Sequence, residues 1–310
     1  MSNNEVSKTW QNHQGNILDT VEDYEVIECN TCGFKHIVPI PSVEELEIIY
    51  REEYYSKDKP LYIERSIEDQ EWWDLVFSER FDTFEEVLKE DCRRILDIGS
   101  GPGIFLQFGK NRGWDVLGIE PSAQAAEHSR SLGIEIVEGF LTPEIAEEIG
   151  KYDVVHLNEV LEHVPDPKAI LQIVGDLLSP SGIICIMVPN DYNPFQDALR
   201  SVCGYNPWWV VPPHHINYFN FDSLSALLTN NGFSIIVKDA SFPIDMFLLM
   251  GDNYTKDDSL GRKIHKKRIQ FEFNMKKAGL GDLKRKLYQL FAEQGLGRDV
   301  IIIAQKMKQN

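Results

Sequence analysis

Short apolar runs alternate with helix-like segments from residue 94 onward. The apolar runs predict strands and the segments between them predict helices. The strands are RILDIG, DVLGIE, IEIVEG, YDVVHLN and GIICIMVPN, and the helices are IFLQFGKNR, SAQAAEHSRSLG, TPEIAEEIG and DPKAILQIVGDLLS. Several helices have Ser, Thr or Asp at the expected N-cap and Gly at the end. This alternation predicts an α/β fold in which helices cover a parallel sheet.

Two long segments interrupt this alternation. Residues 191–218 are rich in Pro, Trp, Tyr and His, and they predict an irregular loop that contacts an acceptor molecule. After a further helix and strand, residues 244–296 form a basic helical insertion before a last strand, DVIIIAQK. The chain before residue 76 is acidic and aromatic. We therefore predict an N-terminal cap over residues 1–75 and a sheet domain over residues 76–310.

Composition and charge narrow the class of protein. The 310 residues carry a formal net charge of −18, which argues against a nucleic-acid partner. Between residues 256 and 286, however, the chain has 11 Lys and Arg residues and only four acidic residues. That block predicts a solvated helix face, with an anionic acceptor, a phosphate or a membrane surface as the alternatives.

The location expected from the sequence is cytoplasmic. No apolar run reaches the roughly 18 residues of a membrane span, and the polar start has no signal segment. Five scattered cysteines indicate free thiols in a reducing compartment. No feature indicates an oligomeric state.

The stretch LDIGSGPGIF carries the strongest chemical signal. Gly99, Gly101 and Gly103 lie between a predicted strand and a predicted helix, where glycines let the backbone approach a ligand closely. Glu120 ends the next strand, where a carboxylate can accept hydrogen bonds from ribose hydroxyls. Asp97 would repel a pyrophosphate but suits the ammonium group of a methionine moiety. The pattern therefore predicts S-adenosylmethionine rather than a dinucleotide.

The motifs LDIGSGPG, GIEPS, YDVVHLNEVLEHVPDP and GIICIMVPN together resemble the class I S-adenosylmethionine-dependent methyltransferases. The resemblance covers roughly residues 80–242 and the last strand. It implies a Rossmann-like sheet, S-adenosylmethionine as cofactor and a small-molecule acceptor. By position it implies cofactor contacts for Asp97, Gly99, Gly101, Gly103, Glu120, Pro121, Ser122, Gly139, Phe140 and Asn158. The Asp that the family usually has near the adenine is absent at Gly139 and Phe140.

Candidate catalytic bases lie in the segment PPHHINYFN. His214, His215 and Tyr218 occupy the region where the resemblance places an element facing the acceptor pocket. An imidazole that titrates near neutral pH can take a proton from a hydroxyl or from an enolisable carbon. We prefer His215 by family position, and a capping or packing role is the alternative for each histidine.

The segment NEVLEHVPD offers a second set of polar groups, Glu159, Glu162 and His163. With a distant histidine, this set resembles the metal site of ubiquinone-pathway O-methyltransferases and of enzymes that methylate a terminal RNA 2′-hydroxyl. Two carboxylates and imidazoles suit Mg²⁺, Mn²⁺ or Zn²⁺. The sequence EH followed by PDP also occurs in family members without a metal. We therefore favour contacts with the cofactor or the acceptor over a divalent metal here.

The N-terminal segment IECNTCGFKH resembles half of a zinc knuckle. Cys29 and Cys32 can share one zinc ion, and His36 and His13 are the candidates for the other two ligands. The alternative is a degenerate knuckle that keeps its turn without metal. The following segment, PIPSVEELEIIYREEYY, resembles sugar-modifying methyltransferases, which favours a sugar or nucleotide-linked sugar as acceptor.

Three functions follow in order of preference. The first is methyl transfer to an oxygen or carbon of a small molecule. The second is metal-assisted O-methylation of a quinol, a catechol or an RNA 3′ end. The third is a non-catalytic protein that binds the cofactor, which the intact glycine loop and Glu120 disfavour.

Overall fold

A computed structural model of the chain describes residues 7–51 and 61–307. The first stretch begins as an antiparallel sheet and ends in a short helix. Its elements are β1 (Ser7–Trp10), β2 (His13–Val21), β3 (Tyr24–Cys29), β4 (Lys35–Val38) and α1 (Val43–Ile48). Ser42 caps α1: its hydroxyl accepts the Glu45 N–H, and the Glu45 carboxylate accepts the Ser42 N–H. The predicted cap therefore contains a sheet of its own.

Two helices, α2 (Tyr62–Glu68) and α3 (Gln70–Val87), lead into the main sheet. The predicted boundary between residues 75 and 76 falls inside α3. Phe81 of this helix is fully buried, and its ring centroid lies 5.0 Å from that of Phe105 and 5.2 Å from that of Trp114. All of α3 therefore belongs to one helix that packs into the core of the sheet domain.

The rest of the chain alternates strands and helices as predicted. In chain order the elements are β5 (Arg94–Ile98), α4 (Ile104–Asn111), β6 (Asp115–Glu120), α5 (Ala123–Ser131), β7 (Glu135–Glu138), α6 (Pro143–Ile149), β8 (Tyr152–Asn158), α7 (Pro167–Leu177), β9 (Leu178–Pro189), α8 (Pro194–Ser201), β10 (Asn217–Tyr218), α9 (Phe221–Asn230), β11 (Phe233–Ala240), α10 (Asp245–Leu249), α11 (Asp258–Lys277), α12 (Gly281–Glu293) and β12 (Asp299–Lys306).

Seven of these strands form the central sheet, in the order β11-β12-β9-β8-β5-β6-β7. Strands β5 to β9 pair in parallel, and β12 runs antiparallel to β9 and β11. Neighbouring residues of β5 face different cores: Ile95 packs in the cluster with α3 and α4, and Leu96 packs in the cluster with α7 and α9. Both faces of the sheet are therefore covered by helices, and the predicted α/β fold is confirmed.

The segment 191–218 is not irregular throughout, because it contains α8 and ends in β10, with turns and loops between them. Strand β10 pairs with β4 and completes a five-stranded sheet, β1-β2-β3-β4-β10. The aromatic residues of the segment pack on this sheet: the Tyr192 ring lies 5.4 Å from the Trp209 ring, and the Tyr192 hydroxyl donates to Asp19 Oδ2 at 2.8 Å. The segment thus attaches the N-terminal sheet to the main domain.

The basic insertion folds as α10, α11 and α12 and faces acidic residues of α3. Lys284 Nζ lies 2.7 Å from Glu79 Oε2, and Arg285 Nη2 lies 3.0 Å from Glu86 Oε2. Part of the basic block therefore neutralises acids of its own chain. Among the helices of residues 7–51 and 61–307, none combines the length and the apolar character of a membrane span.

Candidate functional site

A cavity of about 430 Å³ lies where β5, β6 and β8 end at their carboxyl side. β5 has β6 on one side and β8 on the other, so the sheet reverses its direction of growth at this point. Ligands of open α/β sheets bind at such a reversal. The wall of the cavity contains residues of the glycine loop, of α3 and of the segment around α1.

The glycine loop needs its glycines for backbone geometry. Gly99 has φ +69° and a Cβ there would lie 2.6 Å from Val160 Cγ2. Gly103 has φ +78°, and a Cβ there would lie 2.8 Å from Ser129 Cβ. Gly99 and Gly101 line the cavity, whereas Gly103 lies behind it and starts α4. Without side chains, the loop leaves its backbone open to a ligand.

Glu120 is held by the backbone at the cavity wall. Its Oε2 accepts the Gly101 N–H at 2.8 Å, and its Oε1 accepts the Ser122 N–H at 2.8 Å. Burial raises the pKa of the Glu120 carboxyl to about 7, although these two hydrogen bonds act in the opposite direction. The carboxyl is therefore fixed in position for a ligand in the cavity.

The other predicted cofactor residues divide into two groups. Those that line the cavity are Asp97, Pro121, Gly139, Phe140 and Asn158. Ser122 does not line it, because its hydroxyl caps α5 by accepting the Ala125 N–H. Ser122 and Gly103 therefore shape the two loops rather than face the cavity.

A chain of three polar side chains runs beneath the glycine loop. Asp97 Oδ1 lies 2.7 Å from His156 Nδ1, and Arg80 Nη1 lies 3.2 Å from His156 Nε2. A guanidinium only donates, so His156 accepts at Nε2 and donates from Nδ1 to Asp97. Burial lowers the pKa of His156, which keeps the imidazole neutral.

Arg80 is a cavity residue that the sequence motifs did not reveal. Besides His156, its guanidinium contacts the weak acceptors Cys185 Sγ and Met187 Sδ, each at 3.6 Å. Among the described residues, no carboxylate lies within ion-pair distance of it. A cation in a cavity wall with these partners suits an anionic group of a ligand.

The predicted acceptor-side residues are separated by the fold. His163 lines the cavity, but His214, His215 and Tyr218 are not part of its described wall. Tyr218 is 1% exposed, and its hydroxyl donates to the His215 carbonyl at 3.1 Å. Of the three histidines, His163 is therefore the one in the described cavity wall, and the His215 ring centroid lies 5.0 Å from that of His163.

Tyr50 is a second cavity residue without a sequence signal. Its hydroxyl lies 2.8 Å from His163 Nδ1 and donates to the His214 carbonyl at 3.1 Å. His163 Nδ1 lies 2.6 Å from the same carbonyl, which makes Nδ1 the protonated nitrogen. The N-terminal segment thus contributes a side chain to the cavity wall beside His163.

Glu162, His163 and His215 form one possible metal-binding group. Their ligand atoms all lie within 4.8 Å of one another. Glu162 and His163 share the 3-10 turn Leu161–His163, and His215 approaches from the segment before β10. Glu159 lines the cavity with φ +56° but is outside this group. The group therefore contains Glu162, His163 and a distant histidine of the predicted set, His215, but not Glu159.

His13, Cys29, Cys32 and His36 form the second possible metal-binding group, as predicted, with ligand atoms within 4.8 Å of one another. His13 Nδ1 lies 3.3 Å from Cys32 Sγ and 3.7 Å from Cys29 Sγ. The nitrogen-to-sulfur edge of a tetrahedral zinc site is about 3.6 Å. His36 Nδ1 donates to the Ile37 carbonyl, which leaves Nε2 as the ligand atom. The donor set fits structural zinc.

Burial also favours the neutral forms of two of these four ligands, Cys32 and His36. It raises the pKa of the Cys32 thiol to about 12 and lowers that of His36 to about 4. Zinc binding would therefore release thiol protons.

Comparison with known proteins finds a methyltransferase-domain family that matches residues 70–238, more than half of the chain. Ubiquinone biosynthesis O-methyltransferase of Cronobacter sakazakii (strain ATCC BAA-894) is 36% identical over 96 residues, which are 29% of this chain and 40% of that protein. C-methyltransferase NovU of Streptomyces niveus is 26% identical over 156 residues, 49% of this chain and 35% of that protein. The chain thus spans less than half the length of these curated relatives.

Solved structures show the same fold. Plantazolicin methyltransferase BamL, in complex with a triazolic desmethylPZN analog and SAH, superposes with a TM-score of 0.52 at 18% identity. The match covers 85% of this chain and 95% of that one. Plantazolicin methyltransferase BpumL, in complex with a monoazolic desmethylPZN analog and SAH, gives 0.50 at 16% identity, with 86% and 97% covered.

Proposed function

The chain belongs to the class I S-adenosylmethionine-dependent methyltransferases, and from that premise we propose that it methylates an oxygen or carbon atom of a small-molecule acceptor. One observation carries the proposal: a single cavity has the glycine loop and Glu120 in its wall together with His163 and Tyr50. Methyl transfer is an in-line displacement, so donor and acceptor must meet in one enclosed space.

The cofactor lies along the glycine loop in this proposal. Its ribose hydroxyls donate to the buried Glu120 carboxylate, and its adenine lies beside Pro121 and Phe140. The absence of side chains at Gly99 and Gly101 leaves room for the nucleoside and the methionine chain. These residues fit S-adenosylmethionine because the carboxylate is held by two backbone N–H groups before any ligand binds.

The methionine end of the cofactor is a zwitterion, and the cavity wall offers one group for each charge. We place its carboxylate against the Arg80 guanidinium and its ammonium group near Asp97. His156 lies between the two residues and holds both through hydrogen bonds of 3.2 and 2.7 Å. The neutral imidazole keeps the cation and the anion apart, so each remains available to the ligand.

The acceptor side is proposed to use His163 as the base. Its Nδ1–H donates to the His214 carbonyl, which leaves Nε2 able to take a proton. As the acceptor atom forms its bond to the methyl carbon, the carbon–sulfur bond breaks and its electron pair stays on sulfur. The acceptor proton passes to His163 Nε2, and Tyr50 holds the ring in place.

The cap supports a small acceptor such as a sugar or a nucleotide-linked sugar. Val43, Leu46 and Glu47, which belong to α1, line the same cavity as the glycine loop. The N-terminal segment therefore helps to enclose the acceptor, and the zinc-binding group proposed for it stabilises that enclosure. The ion pairs between the basic insertion and α3 leave less positive charge for an RNA partner.

Metal-assisted O-methylation is a second candidate, because Glu162, His163 and His215 converge. Three protein ligands with an open position are typical of a catalytic metal site. A divalent ion bound there would lower the pKa of an acceptor hydroxyl. The residues would hold the ion from the turn on one side and from the segment before β10 on the other.

The test is an acceptor screen that measures S-adenosylhomocysteine release. We expect His163→Ala to lower turnover by roughly 100-fold, the size of a lost general base. The control is His265→Ala, a half-buried histidine of α11 outside the cavity. Full turnover in His163→Ala would contradict the assigned base. A rate that survives a chelator supports the unassisted reaction, and a rate that is lost on chelation and restored by Mg²⁺ or Mn²⁺ but not by Zn²⁺ supports the second candidate.

A further inference from the structure

The zinc-binding group is connected to the acceptor side of the cavity through backbone hydrogen bonds. In the pairing of β4 with β10, His36 stands opposite Asn217. The Ile37 N–H donates to the Ile216 carbonyl at 2.9 Å, and the Ile216 N–H donates to the Glu162 carbonyl at 2.8 Å. Ile37, the neighbour of the candidate zinc ligand His36, is therefore connected to the turn that carries Glu162 through two hydrogen bonds.

Asn217 adds a side-chain connection to the same turn. It is 2% exposed, and its Nδ2 donates to the Leu161 carbonyl at 3.0 Å and to the Val164 carbonyl at 2.7 Å. These two carbonyls flank Glu162 and His163 on either side. One amide group with two donors therefore fixes both ends of a turn that is too short to hold its own shape.

The zinc-binding group fixes the position of β4 in turn. Its four ligands come from the start of β2 (His13), the end of β3 (Cys29), the turn after it (Cys32) and β4 (His36). Without a metal, His13 Nδ1 makes only weak contacts with the sulfur atoms of Cys32 and Cys29, at 3.3 and 3.7 Å. A bound zinc ion would tie the three strands together at the edge next to β10.

We infer that Asn217 is a positioning residue that couples the metal-held strand β4 to the turn carrying Glu162 and His163. The inference rests on the proposed function in one respect, namely that this turn faces the acceptor. A displacement of about 1 Å at a reacting group can cost roughly 100-fold in rate. Zinc bound to the N-terminal group would therefore change the activity at the cavity, although the zinc-binding residues of that group are not part of the described cavity wall.

The first test compares Asn217→Asp with a matched control. Aspartate keeps the size of the side chain but offers two acceptors to the Leu161 and Val164 carbonyls. Asn190 is also fully buried, and its amide donates to the carbonyls of Gly295 at 2.9 Å and Gly297 at 3.1 Å. Asn190→Asp therefore controls for lost stability at a site that does not hold the turn.

We expect Asn217→Asp to lower kcat by about 30- to 100-fold, to shift the pH profile of kcat/KM and to change the Kd of S-adenosylmethionine by less than twofold. Asn190→Asp should lose similar stability but keep kcat and the pH profile. Equal losses in the two variants, or an unchanged pH profile in Asn217→Asp, would refute the positioning role. Loss of cofactor binding in the unmodified protein is a different result, which would remove the proposed function itself.

The second test removes the metal. Zinc content, hydrogen exchange of the peptide 214–220 and cofactor Kd are measured for the Cys32→Ser protein. Wild-type protein stripped with a chelator and reloaded with Zn²⁺ serves if the variant does not fold. We expect the zinc-free protein to exchange this peptide at least tenfold faster, with cofactor Kd within twofold of wild type, and Zn²⁺ to restore protection after stripping. If the zinc-free protein exchanges this peptide at the same rate as the zinc-loaded protein, the coupling is overturned. It is also overturned if the wild-type protein contains no zinc as purified.

Discussion

Replacing Arg80 with methionine tests the proposed contact with the cofactor carboxylate. Methionine keeps most of the length of the arginine stem, so the packing against α4 and the sheet changes little. Within the described part of the chain, the guanidinium uses Nη1 for His156 and the Cys185 sulfur, and Nη2 for the Met187 sulfur. The variant therefore removes a cation whose strongest proposed partner is the carboxylate of bound S-adenosylmethionine.

The magnitude follows from one charge-assisted hydrogen bond. Such a bond contributes about 1.5–3 kcal/mol. Because about 1.4 kcal/mol corresponds to a tenfold change in affinity, Arg80→Met should raise the Kd of S-adenosylmethionine by roughly 10- to 150-fold. The same variant should change the Kd of decarboxylated S-adenosylmethionine by less than threefold, because that ligand lacks the carboxylate.

Isothermal titration with both ligands gives the four affinities of a complete cycle. Arg112→Met is the matched control, since Arg112 contacts the helix that carries Arg80, through Asp82 at 2.6 Å and Glu85 at 2.9 Å, but lies outside the described cavity wall. Its cofactor affinity should stay within twofold of wild type. If Arg80→Met weakens both ligands equally, or if the control loses as much affinity, the assigned carboxylate contact is wrong.

Three further predictions concern the cofactor loop and the buried ion pair. Burial raises the pKa of Glu120 to about 7. The cofactor Kd should therefore fall as pH rises from 6 to 8, because the ionised carboxylate is the form that accepts the ribose hydroxyls. The free energy of unfolding without ligand should fall as pH rises from 4.5 to 7, because the folded state retains a proton that the unfolded state has lost. Both dependences should vanish in Glu120→Gln, and their persistence would assign them elsewhere. Gly103→Ala should destabilise by about 1–3 kcal/mol more than Gly150→Ala in urea unfolding, because a Cβ has open space at Gly150. Lys284→Met should cost about 3–5 kcal/mol by leaving Glu79 without its cation, and a loss below 1 kcal/mol would show that the pair is not structural.

The cofactor half of the site could be predicted because its determinants are local. A strand, a glycine loop, a helix and a strand-ending acid occur within 27 residues, from Arg94 to Glu120. The positive φ of the loop and the position of Glu120 follow from that order. Ser122 and Gly103 lie outside the described cavity wall, because the motif does not distinguish residues that line a cavity from residues that shape its loops.

The acceptor half could not be predicted because it depends on long-range contacts. Whether His163 or His215 faces the cavity is decided by the pairing of β10 with β4, which joins residues about 180 positions apart. Arg80 and Tyr50 lie in helical segments without motifs, and only the packing of these segments on the sheet brings them to the cavity. The composition of residues 191–218 predicts a loop that contacts an acceptor, whereas Tyr192, Trp208 and Trp209 of this segment pack in one cluster with residues of the N-terminal sheet.

The central claim is that one cavity binds S-adenosylmethionine through Glu120 and presents it to an acceptor beside His163. Isothermal titration of S-adenosylmethionine into the purified protein tests this most directly. We expect one site per chain with a Kd between about 1 μM and 1 mM, the range of ordinary enzyme substrates. Glu120→Ala should weaken that binding at least tenfold. No binding at millimolar ligand, or equal affinity in wild type and Glu120→Ala, would contradict the account.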